Sequence, residues 1–336
     1  MNMGRIDSYM LIGGGDLLCF CGNILKQRGM SVLVVTSERH SKETVTYNGR
    51  QTMFIDCLRG CGIECIVSDD ICTDGNVLPR IKGSTIGLSF GAAWIFRKKF
   101  IDLFDGRLLN MHGARLPQDR GAGDFSWRIM RGERIGVSLI HRVDTGVDTG
   151  KILVSEEYLY PPECRIPADY RSFSVERNKN FLTRFFDAVD EKKEFDLIKQ
   201  QESFGIYWPR LNTAMHGYIN WTWSLENIEK FICAFDDPYQ GASSFVNGSK
   251  VRLKKCCSVY MDGGFHPFQK GFIYRITDMA VFVAAEQGSL MVCSITDENG
   301  DNVRNSLHVG DRFFTPSACL EEAIQYRAVY TPKGLK

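Results

Sequence analysis

Tyr9-Met10-Leu11-Ile12-Gly13-Gly14-Gly15 and, beyond a helical stretch over Asp16–Gln27, Ser31-Val32-Leu33-Val34-Val35-Thr36 decide the class of fold. Each apolar run is the length of one strand, and neither alternates with polar residues, so both faces of each strand call for cover. The glycines end the first run and let a helix return the chain, which makes a βαβ unit with parallel strands. Outward from it the alternation continues: a helix around Thr44–Arg59, a strand at Ile63–Val67, a helix after Asp74 and a strand at Thr85–Phe90. The spacing predicts an α/β domain with a parallel-rich sheet wrapped by helices.

At 336 residues, 44% of them hydrophobic, the chain has material for about two domains of roughly 100 to 200 residues. Lys plus Arg is 41 against 40 for Asp plus Glu, so no surplus charge is present to hold a polyanion such as tRNA. No nucleic acid is expected as partner. Tyr9–Ile12 enters the glycine turn with no leader-cleavage pattern, which predicts a cytoplasmic protein whose twelve cysteines stay reduced. Cys57, Cys61 and Cys65 lack a nearby Cys or His that would complete a zinc-site spacing, so no metal is predicted. The longest nearly apolar run, Ile86–Phe96, is broken by Ser89 and closed by Arg97-Lys98-Lys99. It is too short to cross a bilayer, and no membrane partner is expected.

The chemistry concentrates in Leu108-Leu109-Asn110-Met111-His112-Gly113-Ala114-Arg115-Leu116-Pro117-Gln118-Asp119-Arg120-Gly121-Ala122-Gly123. Asn110 and His112 are two apart, so on a strand from Leu108 to Met111 their side chains emerge on one face. Gly113 and Pro117 then turn the chain outward. A second strand, Val137–Ile140, feeds His141-Arg142-Val143-Asp144-Thr145-Gly146-Val147-Asp148-Thr149-Gly150, a tight loop with carboxylates at its tip. An amide, an imidazole and a carboxylate at strand ends can run acyl transfer.

Asn-x-His, then Leu-Pro, then Arg-Gly, followed by Asp-x-Gly-x-Asp-Thr-Gly, resembles the formyltransferases that use N10-formyltetrahydrofolate. The resemblance implies a Rossmann-like formyltransferase domain over residues 1–203, a linker and helix over 204–242, and a small all-β, OB-like barrel over 243–336. It places the catalytic carboxylate on Asp148. With it, Asn110 becomes the oxyanion donor, a neutral amide that needs no titration, and His112 the general base for the amine proton. Asp148 would orient and charge-support His112. The loop Ser89–Phe96 would close over the pterin ring, with Ala93, Trp94, Ile95 and Phe96 as walls and Val143, Asp144 and Thr145 as the opposite lip. Gly13-x-Gly15-x-x-Leu18 does not complete a dinucleotide fingerprint, but a glycine turn beside a helix start suits a phosphate. Gly14, Gly15 and Arg120 are therefore candidate acceptor contacts, with a plain tight turn as the other reading of the glycines.

Further along, Asp124–Glu133 reads as a short helix ended by Gly132, with Trp127 either stacked on substrate or part of the core. Lys151–Val154 reads as a strand leaving the sheet. Ser174–Asp190 carries Phe181, Leu182, Phe185, Phe186 and Val189 at helical spacing, a stripe to pack on the first domain. Residues 217–221, 225–235 and 238–242 resemble the entry to the C-terminal domain in sugar N-formyltransferases and methionyl-tRNA formyltransferases. From Ser243 the pattern changes to short strands, with Asn247-Gly248 as a hairpin turn, and Lys250, Lys254 and Lys255 as a solvated face. Tyr207-Trp208-Pro209-Arg210 looks more like the sugar enzymes. The resemblance thus implies formyl transfer to the amine of a nucleotide-linked amino sugar, a UDP- or dTDP-linked 4-amino-4,6-dideoxysugar for a surface glycan. Methionyl-tRNA formyltransferase is the alternative enzyme, and a non-catalytic folate-binding protein the alternative of another class. Oligomeric state stays open between monomer and homodimer.

Overall fold

The computed structural model describes residues 1–47, 49–123 and 125–335. Its N-terminal half opens with β1 (Ser8–Gly13), α1 (Asp16–Gln27) and β2 (Ser31–Thr36), the predicted βαβ unit. After α2 (Glu38–Ser41), the helix expected over Thr44–Arg59 is replaced in its first half by a hairpin, β3 (Thr44–Tyr47) and β4 (Arg50–Met53). Thr44, Val45 and Thr46 are β-branched, and Gly49 takes φ 74, so this stretch favours a pleated turn-back over a helix. Asn48 lies outside the described residues. Only α3 (Phe54–Gly60) is helical, followed by β5 (Glu64–Val67). The helix expected after Asp74 is a single 3-10 turn at Leu78–Arg80. Pro79 within it, with Gly75 and Gly83 on either side, cannot sustain more.

The sheet continues through β6 (Thr85–Phe90), α4 (Lys98–Asp102), β7 (Leu108–His112), the short β8 (Arg120–Gly121), α5 (Phe125–Arg131), β9 (Ile135–Arg142) and β10 (Ile152–Leu159). Asp124, which the sequence reading placed at the start of α5, is outside the described residues. Among the described residues the strand order is β10-β9-β7-β6-β1-β2-β5, parallel from β7 to β5 and antiparallel at β9 and β10. β10 therefore does not leave the sheet as expected; its backbone is paired with β9 along the edge. α6 (Pro167–Asp190) starts earlier than predicted, because Pro167 suits a first turn and the Asp169 carboxylate accepts the N–H groups of Arg165 and Ile166. Its stripe of Phe181, Leu182, Phe185, Phe186 and Val189 is buried in the core that also holds Leu11, Leu18 and Leu25.

The chain then returns through β11 (Tyr207–Trp208), which pairs in parallel with β8, and α7 (Thr213–His216) leads to α8 (Leu225–Ala234). A small β domain follows: β12 (Ala242–Val246), β13 (Ser249–Val259), β14 (Ile273–Ile276), β15 (Val281–Ala285) and β16 (Gly288–Thr296), antiparallel in the order β12-β13-β16-β15-β14. Asn247 and Gly248, both at positive φ, make the β12–β13 turn. Arg312–Phe314 bridges Phe272, just before β14, to Phe245 of β12, so the two outer strands are joined into a barrel. α9 (Ser317–Gln325) lies beyond it. One core joins the domains: Ile129 of α5, Tyr160 and Tyr170 pack with Phe231 and Phe235 around α8 and with the barrel interior. The twelve cysteines are unpaired. Among the described residues no helix is long and apolar enough to cross a membrane.

Candidate active site

Strand alternation positions the first two groups. Leu109 and Met111 of β7 are buried, and Asn110 and His112 face the other way beside the end of the sheet. His141 of β9 stands directly opposite Asn110 in register. The loop that leaves β9 carries Asp148 at φ 54, and Gly150 is required there because any Cβ would overlap the Arg142 carbonyl. Gln200, contributed from beyond α6, ties this loop down: its Nε2 donates to the carbonyls of Asp148 at 2.8 Å and Gly150 at 2.7 Å.

The side chains converge. Asp148 Oδ2 accepts the Gly121 N–H at 2.9 Å and lies 3.9 Å from His112 Nδ1, and Asp148 Oδ1 lies 3.4 Å from both Asn110 Nδ2 and His141 Nε2. His112 Nε2 is 2.8 Å from the Asp119 carbonyl. A carbonyl only accepts, so Nε2 carries the proton and the Nδ1 lone pair is turned toward Asp148. His141 is fixed in the same manner, its Nδ1 donating to the Arg142 carbonyl at 2.8 Å. Burial alone would raise the Asp148 carboxyl, but the hydrogen bond of His141 and the charge of His112 in their protonated forms, with the Gly121 N–H, outweigh it and bring it down to about 2. Burial pushes the His112 imidazole below its ordinary range, against the opposing pull of Asp148. A neutral imidazole beside a fixed carboxylate is a proton acceptor whose charged form is stabilised where it forms.

These groups open on a cleft of about 250 Å³ walled by Trp94, Ile95, Phe96, Val143 and Asp144, with Tyr207 and Arg210 at its edge. A larger cavity, about 500 Å³, lies between α5, α8 and α9 and is lined chiefly by apolar and aromatic side chains, Trp127 included. Among the described residues no carboxylate lines it, whereas the smaller cleft gathers Asp148, His112 and His141.

Residues 91–168 match the formyl transferase family model, and residues 213–306 match that of the formyl transferase C-terminal domain. The chain belongs to the formyltransferase family. A methionyl-tRNA formyltransferase of Syntrophus aciditrophicus is 28% identical over 218 residues, which span 65% of this chain and 66% of the relative, just under two thirds of its length. WlaRD, a sugar 3N-formyl transferase solved in the presence of dTDP and 5-N-formyl-THF, superposes with a TM-score of 0.65 at 15% identity, over 88% of this chain and 99% of its own. The N-formyltransferase from Helicobacter canadensis, in complex with folinic acid and dTDP-3-aminofucose, gives 0.64 at 15% identity, over 86% and 99%. At these identities the two solved structures share the fold.

Within this formyltransferase Asn110, His112 and Asp148 come together, as do Trp94, Ile95, Phe96, Val143 and Asp144 on the cleft wall. Ala93 and Thr145 are neighbours of that wall without lining it. Arg120 does not reach the cleft: its guanidinium is held by Gln200 Oε1 and Glu202, each at 2.8 Å, and braces the Asp148 loop from behind. Gly14 backs onto His40 and Glu43. Sequence reasoning gave no role to His141, Asp119, Gln200, Tyr207 or Arg210. A histidine on the inward alternation of a strand was a usable signal for His141; Gln200 offered none, since only the fold returns it to residue 148. The orientation of His112, assigned in sequence to Asp148, comes from the Asp119 carbonyl, and Asp148 contributes charge.

Proposed function

We propose that this formyltransferase moves the formyl group of N10-formyltetrahydrofolate to the amine of a nucleotide-linked amino sugar, with a UDP- or dTDP-linked 4-amino-4,6-dideoxysugar as the expected acceptor. The observation that carries the reading is the meeting of Asn110, His112 and Asp148 in one cleft beside an apolar wall of pterin-accepting character. Trp94, Phe96 and Val143 suit a flat heteroaromatic ring, and Gly91, at φ 58, lets backbone groups approach its edge. The formyl donor supplies an activated one-carbon acyl group. As the acceptor nitrogen bonds to the formyl carbon, Asn110 Nδ2–H stabilises the charge growing on oxygen, and His112 Nδ1 takes the amine proton. Asp148 stabilises the imidazolium across 3.9 Å. The same proton then passes, directly or through water, to the departing N10 nitrogen as its bond to carbon breaks, giving a formamide and tetrahydrofolate. A cytoplasmic setting and a surface-glycan pathway complete the reading.

A second reading, methionyl-tRNA formyltransferase, draws on the relative named above. Against it stands a net charge of +1, with no cationic excess for a polyanion. The experiment presents the purified protein and formyl donor with 3-amino and 4-amino sugars linked to UDP and dTDP, and with charged initiator tRNA, and follows the mass of each acceptor. A nucleotide sugar gains one formyl group if the proposal holds. Formylation of the tRNA alone would reverse it, and so would steep loss of tRNA affinity with salt, about −0.9 in log K per phosphate contact per log unit of salt.

A further inference from the structure

Arg210 at the rim of the cleft and Arg39, which shares a tyrosine ring with it, make no ion pair among the described residues. Arg39, on α2, and Arg210, after β11, both lie against the ring of Tyr330, with guanidinium carbons 5.9 and 5.5 Å from its centroid. Among the described residues neither is paired with a carboxylate, and Arg39 Nε is buried without a hydrogen-bond acceptor. Beside them His40 is only 5% exposed, and its Nδ1 is also without a partner. Burial and then the charges of Arg39 and Arg210 push His40 down to about 4. Glu43, with its carboxylate 3.7 Å from His40 Nε2, faces the group with Asp16 and Arg171 nearby, and burial raises it. Arg210 is exposed and Arg39 half-buried, but the buried Arg39 Nε–H still has no acceptor, and a buried donor left unmet is costly.

Tyr330 reaches this point on a strap formed by the end of the chain. Beyond α9 the chain crosses back to the first domain, where the Arg39 N–H donates to the Pro332 carbonyl at 3.1 Å and Lys333 approaches Asp69 at 3.5 Å. Arg210 lines both the catalytic cleft and an adjoining cavity of about 190 Å³ that Tyr330 also borders. We propose that Arg39 and Arg210, both packed on Tyr330 of this strap, form the seat for the diphosphate of the acceptor. Two guanidinium forks offer adjacent phosphates more matched donors than one charge does. Contact with the ring restricts both side chains before the ligand arrives. The glutamate carboxylates of the folate are the rival source of anionic oxygens, and the formyl-transfer reading enters only in naming the diphosphate as the acceptor's.

Titration calorimetry with inorganic pyrophosphate, UDP and dTDP tests the seat without turnover. Arg39→Gln and Arg210→Gln are each expected to weaken binding about 10- to 100-fold, Tyr330→Ala about 2- to 5-fold. Glu43→Gln should tighten it, a gain that misfolding cannot mimic. In steady state the loss falls on KM for the acceptor and far less on kcat or on KM for the formyl donor. Pyrophosphate affinity within about a factor of two of the parent in both arginine variants would overturn the proposal. So would a loss confined to folate binding, which would assign the seat to the glutamate tail. If pyrophosphate binds through these residues while no acceptor is formylated, the seat stands and the formyl-transfer reading falls.

Discussion

Asp148→Asn removes one charge and little else. Asparagine tolerates positive φ, so the backbone at φ 54 is kept, and its side-chain oxygen can still accept the Gly121 N–H. What disappears is the attraction between the carboxylate and the His112 imidazolium. At 3.9 Å, with the pair mostly buried and an effective dielectric of about 20, that attraction is about 4 kcal/mol. A proton half transferred in the transition state feels about half of it. Turnover should therefore fall between about 30-fold and about 10³-fold. The assay is kcat at pH 8 under saturating substrates, alongside folate affinity from tryptophan quenching, which should change little. A kcat within about threefold of the parent, with folate affinity intact, would refute the assignment of Asp148 as the stabiliser of a protonated His112.

Because burial lowers His112 and the base works when neutral, kcat/KM should rise with pH through a midpoint below the ordinary histidine value of 6.5 and stay level above it; in Asp148→Asn the midpoint should move lower still. A midpoint above the ordinary value would point to another base. Asp148 is held at about 2 against an ordinary 3.8, so its contribution of about 2 kcal/mol is present in full above the ordinary value and lost as pH falls toward 2. Denaturant titrations of parent and Asp148→Asn should converge over that window, and curves that stay parallel would count against the depressed carboxyl. Asn110→Ala should lower kcat about 10²- to 10³-fold with KM for the formyl donor little changed, and a change in KM alone would recast Asn110 as a binding residue. Gln200→Ala leaves the Asp148 and Gly150 carbonyls unmet, costing about 1 to 3 kcal/mol of stability; calorimetry reads the Tm, and an unchanged Tm would mean that another group anchors the loop.

The sheet was legible where strands are continuous apolar runs: β1, β2 and β6 fall where Tyr9–Ile12, Ser31–Thr36 and Thr85–Phe90 place them. The hairpin at Thr44–Met53 was missed because a single helix was read over Thr44–Arg59, across β-branched residues that belong to a different element from Phe54–Gly60. A period of two exposed Asn110 and His112, whereas Asp148 could be reached only through likeness to a family, since one turn carboxylate looks like another. Arg120 shows the limit of reading charge. In sequence it stands among candidate ligand contacts, and only the fold shows Gln200 and Glu202 already occupying it.

Gln200 and the pairing of Tyr207–Trp208 with Arg120–Gly121 bring the last pieces of the catalytic loops from far downstream. During translation, then, the sheet and α6 can emerge from the ribosome and fold while the loop bearing Asp148 still has no anchor. A nascent chain, or a proteolytic fragment, ending near Asp190 would have the shape of the first domain and no working chemistry.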